Sequence, residues 1–473
     1  MKKKEIYRIA IGCLVALIAY YIFTFDLSSC RRSVTSETLP VSDSIPDTLR
    51  FVTLSGSTTY FYFRGEDMGY EYDLAKLYAQ SIKKPFKLIV AANTKEMLDA
   101  IDSGKADLCI TPQAITQTAK KKYQFVGPVE RSAMVLVQVK SDSMVTSTAQ
   151  LPGKEVCVAE KTRAANRLRH LNEELGGGIK CTILRGDTIT DEDLIEDVAE
   201  KKIKLTFADE KLALLSRTYY DNIDISVEVG LKQRLSWIVK KDRIMLAKSI
   251  NDWAKTIPNK SAYLSIYKRY FEQSKNDSDS SSEEIVSTKN KRKHRLTKGK
   301  LSPYDDLFKH HAMRLGWPWQ LLASIAYTES RFNPKVIGWS SARGLMGIMP
   351  ATGRRFGANN QQLLDPETSI RVAVDCLLAT KKALGIKGNS PDEIKITLAA
   401  YNVGPAHVQD AQRLAKKYHH NPLIWSEHIE KYLRLKNDPV YYNDSVCKAG
   451  YLRGGSATRY VNKIMNWYES HKH

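Results

Sequence analysis

One stretch of the chain, "QSKNDSDSSSEEIVSTKNKRKHRLTKGK" at residues 273–300, cannot contribute to a hydrophobic core. An acidic, Ser-rich piece is followed by a basic one, and such a composition buries too little apolar surface to offset the entropy cost of folding. We therefore expect a linker that divides the chain into two separately folded parts. With 473 residues, 43% of them hydrophobic, the chain is large enough for a core on each side.

The first residues have the pattern of an export signal. A basic start precedes an apolar run from about Ile9 to Phe25, and "LSSC" ends at Cys30. This resembles a bacterial lipoprotein signal, which implies removal of residues 1–29 and acylation of Cys30, with residues 30–48 as a tether. We expect the protein at the periplasmic face of the outer membrane, anchored by lipid. An inner-membrane anchor, an uncleaved single span and an ordinary signal peptide are the alternatives.

The formal charge of +20 predicts affinity for polyanions. Behind an export signal, an anionic wall polymer or a lipid surface is favoured over nucleic acid, so we expect no nucleic-acid partner. The sequence contains neither a CxxC pair nor an HExxH motif, and its ten histidines are scattered. We therefore expect neither a metal site nor a cofactor.

Residues 49–272 alternate short β-rich runs such as "LRFVTLS" and "FKLIVAA" with helical ones such as "EYDLAKLYAQSIK". This alternation predicts an α/β unit with a mainly parallel sheet, and a second such set begins near "GKEVCVAE". Two lobes of this kind, with the pieces "GYEYDLAKLYA", "MLDAIDSGKADLCIT" and "FADEKLALL", resemble the amino-acid-binding type of extracellular solute-binding protein. The resemblance implies a two-lobed periplasmic-binding-protein-like fold.

The same resemblance implies a ligand site whose residues match only in part. Where the family has an arginine for the ligand's carboxylate, this chain has Lys120, Lys121 and Lys122, and lysine lacks the bidentate fork of arginine. We assign Lys121 and Asp209 as candidate ligand residues, because Asp209 stands where the family places an acid for the ligand's amino group. A helix-capping aspartate is the alternative. Muropeptides are the expected ligands of this domain.

Helix-period stretches dominate residues 301–473 and predict an all-α domain. In "WPWQLLASIAYTES", Pro318 suits a first helical turn, and Leu321 and Ile325 form an apolar stripe whose next position is Glu329. A carboxylate on the buried side of a helix end loses solvation, which favours its protonated form and suits a general acid. A glutamate that turns to solvent or pairs with a nearby arginine, residue 331 or 343, is the alternative.

Three ordered motifs make the catalytic interpretation specific: "ESRFNP", "ARGLMGIMPAT" and "AAYNVGP". They resemble the soluble lytic transglycosylase domain, an all-α, lysozyme-like fold related to goose-type lysozyme. Together with the export signal and the solute-binding-like domain, they make the whole chain similar to the membrane-bound lytic transglycosylases. The resemblance implies non-hydrolytic cleavage of the β-1,4 bond between N-acetylmuramic acid and N-acetylglucosamine in peptidoglycan. The products would carry 1,6-anhydromuramyl ends, and the activity would serve cell-wall remodelling.

The resemblance also assigns site residues. Glu329 would be the catalytic acid and then the base, and Tyr401 would place its hydroxyl near that carboxylate and the substrate's acetamide. The other candidate substrate-binding residues come from the same motifs and from the loop before them: Asn402, Gly344, Leu345, Met346, Ser340 and Ser341.

Three positions depart from the family pattern. Gly347 stands where a sugar-contacting glutamine is usual, Gly338 where a serine is usual, and Ser456 where the "ETxxYV" pattern has its acid. These departures leave two other functions open. One is a catalytically weak sensor that only binds the wall.

The other open function is a hydrolysing muramidase. Such an enzyme needs a second carboxylate that positions water on the opposite face of the sugar. The sequence offers Asp365, Asp375 and Glu393 for this role.

Overall fold

The computed structural model describes residues 44–160, 162–184, 189–257, 260–273, 300–453 and 455–472. The export signal, the lipidation candidate Cys30 and residues 274–299 of the linker lie outside the described residues. None of the described helices is long and apolar enough to span a membrane.

The part before the linker is an α/β domain of two lobes. Its elements are β1 (Leu49–Leu54), β2 (Phe61–Phe63), β3 (Glu66–Met68), α1 (Tyr70–Ser81), β4 (Phe86–Ala91), α2 (Thr94–Asp102), β5 (Leu108–Ala114), α3 (Gln117–Lys122), β6 (Tyr123–Ser132), β7 (Met134–Val139), β8 (Glu155–Ala159), α4 (Arg163–Glu174), β9 (Lys180–Leu184), α5 (Asp191–Ala199), β10 (Leu205–Asp209), α6 (Glu210–Arg217), β11 (Ile223–Asp224), β12 (Gln233–Lys240), α7 (Ile244–Thr256) and α8 (Ser261–Tyr267).

The sheets of this domain are mixed. The first lobe has a five-stranded sheet of order β4-β1-β5-β12-β6, in which β1 runs parallel to β4 and β5 while β12 runs antiparallel to β5 and β6. In the second lobe β7 pairs antiparallel with β10 and β11, beside a parallel pair of β8 and β9. The predicted mainly parallel sheet is therefore wrong. The chain crosses to the second lobe and returns, so β12 enters the first sheet against the direction of β5.

A short hairpin projects from the first lobe between β1 and α1. Its strands β2 and β3 pair antiparallel, with Phe63 opposite Glu66, and its tip is Arg64 and Gly65. The φ angles of these two residues are 50° and 88°, so both lie in the left-handed region that a two-residue type I′ turn requires. An arginine is uncommon there, because its Cβ is strained against the backbone, and such strain is often found where a side chain has a function.

The part after the linker is a helical domain with one large apolar core. Its helices are α9 (Asp305–Leu315), α10 (Trp319–Ser330), α11 (Pro350–Arg355), α12 (Pro366–Ala383), α13 (Pro391–Val403), α14 (Pro405–Lys417), α15 (Glu430–Leu435), α16 (Pro439–Tyr442) and α17 (Ser456–His471).

Helix α10 forms as the apolar spacing predicts. Leu321 and Ile325 are fully buried in the core, and Pro318 occupies the N-cap rather than the first turn. The helix ends where Arg331 and Phe332 take left-handed φ angles of 51° and 63°. The chain turns sharply there, which leaves the last turn of α10 at the edge of the core.

A buried ion pair fixes the segment before α17. Asp410 and Lys436 are paired and both are fully buried, and the Asp410 carboxylate also accepts hydrogen bonds from the backbone N–H groups of Lys448 and Ala449, both at 2.8 Å. Helix α17 itself packs against α10 and α13. These contacts hold the beginning of α17 beside the end of α10.

Candidate active site

Glu329 lies in the last turn of α10, on the wall of a cavity of about 360 Å³ between the helical domain and the hairpin. Its side chain is 10% exposed. The Tyr460 hydroxyl donates a hydrogen bond to Oε1 of Glu329 at 2.7 Å, and Nη2 of Arg64 reaches the same oxygen at 2.8 Å. The glutamate is therefore neither solvated nor paired with Arg331, whose guanidinium lies over the Tyr327 ring.

The Arg64 side chain is bound at every nitrogen. Beside its bond to Glu329, Nη1 donates to the backbone carbonyl of Gly347 at 3.0 Å and Nε donates to that of Asn402 at 2.7 Å. Such charge-assisted bonds are stronger than neutral ones. The hairpin tip from the first domain thus sits in the cleft of the second.

Two further contacts hold the hairpin in place. Nε2 of the buried His407 lies 2.7 Å from the backbone oxygen of Tyr62, and the Phe63 ring lies 5.7 Å from that of Trp339. Burial and the charge of Lys436 lower the pKa of His407 to about 3, so a neutral imidazole donates to the Tyr62 carbonyl.

The two side chains that donate to Glu329, Arg64 and Tyr460, both have raised pKa values. Burial lowers the pKa of the Arg64 guanidinium, but the charge and hydrogen bond of Glu329 together with the hydroxyls of Tyr460 and Tyr401 outweigh burial, and the pKa is raised. Burial, and then the charge of Glu329, raise the pKa of the Tyr460 hydroxyl well above its ordinary value. Both neighbours therefore keep their protons and act as donors to the carboxylate.

Gly347 is required by Glu329 itself. Its φ angle is 61°, and a Cβ at this position would lie 2.7 Å from Cδ of Glu329 and closer still to Oε2. The family's glutamine therefore cannot stand here while Glu329 points toward Arg64. The departure at position 347 is coupled to the contact with the hairpin.

Tyr401 and Asn402 face the hairpin from the end of α13. The Tyr401 hydroxyl donates to the backbone carbonyl of Met346 at 2.7 Å, so its hydrogen bond orders the "GLM" loop, whereas Tyr460 bonds to the carboxylate. Asn402 meets the hairpin through its backbone oxygen.

The remaining candidate residues occupy the loop between α10 and α11. Leu345 and Met346 are fully buried, and neither lines the cavity at Glu329. A Cβ on Gly344 would lie 2.9 Å from the backbone carbon of Leu363, so this glycine permits close packing. Ser340 lines the cavity, whereas Ser341, with a φ angle of 70°, shapes the loop.

A second cavity of about 330 Å³ lies on the other side of Arg64, lined by Tyr401, Met349 and Phe356 among others. Gly347 and Arg64 line both cavities. The hairpin tip therefore divides one cleft in two at Glu329.

The three carboxylates considered for a muramidase are engaged elsewhere. Asp365 caps α12, Glu393 forms the capping box of α13, and Asp375 pairs with Arg314 and Arg371. Among the described residues, Glu329 is the only carboxylate that lines either cavity.

The candidate ligand residues of the first domain do not form one site. Asp209 caps α6 and accepts a hydrogen bond from Ser132, with Arg163 at 3.8 Å, while Lys121 is exposed on the short helix α3. Within the described ranges, no group of three or more His, Cys, Asp or Glu side chains is placed to hold a metal ion.

A glutamate of the second lobe joins the two lobes to the helical domain. The Glu192 carboxylate accepts hydrogen bonds from the hydroxyl of Ser57 in the first lobe and from that of Tyr451 in the helical domain. Nearby, Nδ2 of Asn437 donates to Asp193 at 2.8 Å. The helical domain thus contacts both lobes at once.

Comparison with known families accounts for both parts. Residues 306–424 match the transglycosylase SLT domain, and residues 52–273 match the bacterial extracellular solute-binding proteins, family 3. The chain combines a family 3 solute-binding domain with an SLT domain. Both matches agree with the predicted fold class, a two-lobed α/β domain before an all-α domain.

The relatives share this arrangement over most of their length. The chain is 28% identical over 418 residues to the membrane-bound lytic murein transglycosylase F of Desulfosudis oleivorans, covering 88% of each chain. It is 27% identical over 423 residues to the protein of the same name from Pseudomonas fluorescens, covering 89% of this chain and 84% of that one. The second substrate-binding domain of GlnP from Lactococcus lactis matches 49% of this chain with a TM-score of 0.42 and 16% identity, and 97% of that domain is covered. The recognition of a lytic transglycosylase, and hence of an enzyme, is confirmed by the two domain matches and these relatives.

Sequence reasoning missed two residues at the catalytic carboxylate. Tyr460 stands in "SATRYV", which retains the tyrosine of the family pattern although Ser456 replaces its acid. No sequence pattern linked Arg64 to Glu329, because the two residues lie 265 positions apart and in different domains.

Proposed function

We propose that this protein is a peptidoglycan lytic transglycosylase with Glu329 as its single catalytic carboxylate. The observation that carries the proposal is a cleft on which Glu329 is the sole carboxylate among the described residues. A transglycosylase needs one acid, whereas an inverting muramidase needs a second carboxylate for water. The engagement of Asp365, Asp375 and Glu393 in helix caps and ion pairs favours the transglycosylase.

The reaction uses that one group twice. Protonated Glu329 gives its proton to the glycosidic oxygen as the bond to C1 of the muramyl sugar breaks, and the acetamide oxygen stabilises the positive charge at C1. The carboxylate then takes the proton of the muramyl 6-hydroxyl, whose oxygen bonds to C1 and closes the 1,6-anhydro ring. Water is not consumed, and Glu329 ends protonated, as it began.

The arrangement with Arg64 on Glu329, which we call the closed state, opposes this chemistry. A general acid must reach the glycosidic oxygen, whereas in this arrangement Oε1 of Glu329 is occupied by the donors of Arg64 and Tyr460. The hairpin also occupies the path of the glycan. We propose that the solute-binding domain holds the enzyme closed and that wall fragments such as muropeptides open it by moving its lobes.

The first experiment is mass spectrometry of purified peptidoglycan digested with the full chain and, in parallel, with Glu329→Gln. We expect 1,6-anhydromuramyl products from the unmodified chain and none from the variant. Reducing ends would identify a hydrolase. The absence of products from a folded, wall-binding protein, even with muropeptides added, would identify a sensor.

The regulatory part of the proposal is tested with the same protein. Muropeptides are expected to raise both its melting temperature and its rate of glycan cleavage. If neither changes, these fragments are not the signal. For localisation we propose a lipid anchor at Cys30, and Cys30→Ser should release the protein from the membrane fraction.

A further inference from the structure

The cavity at Glu329 is strongly basic for a site that receives sugars. Four cationic side chains line it, Arg64, Arg453, Arg459 and Lys463, against the single carboxylate of Glu329. Of the three arginines, Arg64 is paired with Glu329 and Arg459 with Glu196 of the second lobe. Glycan backbones carry no positive or negative charge at the scissile bond, so this excess needs another explanation.

Arg453 lacks a carboxylate partner among the described residues. Only 9% of this residue is exposed, and its Nε and Nη1 find no hydrogen-bond acceptor in the described part of the chain. Its Nη2 donates to the Ser216 hydroxyl at 3.2 Å, and its guanidinium lies 4.2 Å from the centre of the Tyr219 ring. The charge of Glu192 acts on it, but that carboxylate is bonded to Ser57 and Tyr451.

A buried guanidinium with unpaired N–H groups costs stability, because desolvation is not compensated by hydrogen bonds. Arginine presents a planar fork of donors that matches a carboxylate in two bonds. The neighbours that cover Arg453, Ser216 and Tyr219, belong to the solute-binding domain. When that domain leaves the cleft, the fork becomes available to a ligand at the same time as Glu329 does.

The substrate supplies the matching group. In peptidoglycan the acidic groups are the carboxylates of the peptide stems, and each stem leaves a muramyl sugar next to the bond that Glu329 would break. We propose that Arg453 binds a carboxylate of the peptide stem on the muramyl sugar at the catalytic centre. The enzyme would therefore prefer glycan whose stems carry free carboxylates over glycan whose stem carboxylates have been converted to amides. This inference rests on the proposed transglycosylase function.

The test compares kcat/KM on two substrates, soluble peptidoglycan strands with intact stems and the same strands after their stem carboxylates have been converted to amides. Arg453→Gln should lower kcat/KM on the first substrate by roughly 10- to 100-fold, mainly through KM, as expected for one charge-assisted contact. On the second substrate it should stay within about twofold of the unmodified chain. The ratio of the two values is insensitive to how much enzyme is closed, because both substrates meet the same population.

Two control variants separate substrate binding from domain docking. Arg434→Gln makes the same charge change at an exposed position of the helical domain and should alter neither value. Ser216→Ala removes the recorded hydrogen-bond acceptor of Arg453 and should leave the substrate ratio unchanged. An equal loss on both substrates in Arg453→Gln, or no loss on either, would assign Arg453 to the domain interface alone.

A second measurement needs only the unmodified protein. Free stem peptide should inhibit cleavage of stem-bearing strands competitively, and the same peptide with all carboxylates amidated should not. Equal inhibition by both peptides, or by neither, overturns the carboxylate site. If the unmodified chain cleaves neither substrate even with muropeptides present, the proposed function itself fails, and this inference fails with it.

Discussion

Glu329 accepts hydrogen bonds from Arg64 and Tyr460 in the closed state, and both donors occupy the same carboxylate oxygen, Oε1. Withdrawal of Arg64 would remove the positive charge and leave Tyr460 as the neighbour. Under the proposed mechanism, Glu329 is therefore inactive while Arg64 is its partner and is released when Arg64 withdraws. Gly347 makes this possible, since it leaves the space into which the Glu329 side chain turns.

Replacing Gly347 by alanine tests this coupling. The new Cβ would overlap the Glu329 carboxyl group at a φ angle of 61°, so Glu329 must leave its present position. We expect the melting temperature to fall by several degrees and lytic activity to fall at least tenfold, because the catalytic carboxylate is displaced in the open enzyme as well. Differential scanning calorimetry and the peptidoglycan digest measure the two effects.

Gly357→Ala is the matched control. Gly357 has a similar φ angle of 74°, but a Cβ there meets nothing within 4 Å. It should cost only the backbone strain of about 1 kcal/mol and leave activity intact. If the two variants behave alike, backbone strain rather than contact with Glu329 explains position 347.

Among individual residues, the sequence predicted those whose positions follow from local helix periodicity. Glu329 continues the stripe of Leu321 and Ile325, and helix periodicity alone places it at the edge of the core. The partners of Glu329 follow from packing between elements far apart in the chain. No local spacing in the sequence predicts that Arg64 or Tyr460 is a neighbour of Glu329.

The β2–β3 hairpin is the element that closes the cleft. Each strand has only three residues, so the hairpin draws its rigidity from the lobe behind it and from the bonds at its tip. The tip inserts Arg64 between Glu329 and the end of α13. We expect the binding of the hairpin in the cleft to depend mainly on the Arg64 side chain.

Arg64→Ala should therefore raise lytic activity. It removes three hydrogen bonds to the helical domain, one of them to a carboxylate, and charge-assisted bonds contribute about 1.5–3 kcal/mol each. We expect roughly a tenfold or greater increase in the rate of anhydromuramyl release without added muropeptide. The residual stimulation by muropeptide should shrink correspondingly.

Arg131→Ala provides the comparison for that variant, since Arg131 is an exposed arginine of the same domain and does not line the cleft. It should leave the rate unchanged. A loss of activity in Arg64→Ala would mean that this arginine assists the reaction, contrary to the closed-state interpretation.

The elements differed in how well the sequence predicted them. Helix α10 and the repeated α/β units have long periodic patterns, and they form as predicted. Strands β2 and β3 are too short for alternation to be recognised, and the direction of β12 follows from the path of the chain between lobes rather than from its own residues.

On the scale of the whole molecule, the helical domain rests on both lobes of its partner domain. Glu192 links Ser57 in one lobe and Tyr451 in the helical domain, so a change in the angle between lobes cannot leave all these contacts intact. The same surface carries Asn437, bonded to Asp193. These contacts support the proposed coupling between ligand binding by the lobes and the position of the hairpin.

Glu192→Ala should loosen this docking. Loss of the acceptor for two hydroxyl groups disfavours the closed state, and small-angle X-ray scattering should report a larger average radius of gyration. Basal lytic activity should rise in parallel.

Glu174→Ala is the control for this change. Glu174 belongs to the same lobe, and its one ion pair among the described residues is with Arg167 of the same helix, α4. Its scattering curve and activity should match those of the unmodified chain. A Glu192→Ala curve that also matches would show that this junction does not couple the domains.

Domain order could be predicted from composition, because the polar stretch at residues 273–300 separates two differently patterned halves. Docking could not. Ser57 and Glu192 lie 135 residues apart, and Tyr451 follows 259 residues after Glu192. No local sequence pattern marks these three polar residues as contact partners, because only the fold brings them together.

The hairpin and the catalytic carboxylate belong to one polypeptide, so the inhibitor is present at a fixed local concentration. A tethered group of this kind faces its site at an effective concentration on the order of millimolar, whatever the dilution of the protein. In the proposed closed state the enzyme is therefore silenced whatever its number of copies. Binding of wall fragments, and not a change in the concentration of the protein, would activate it.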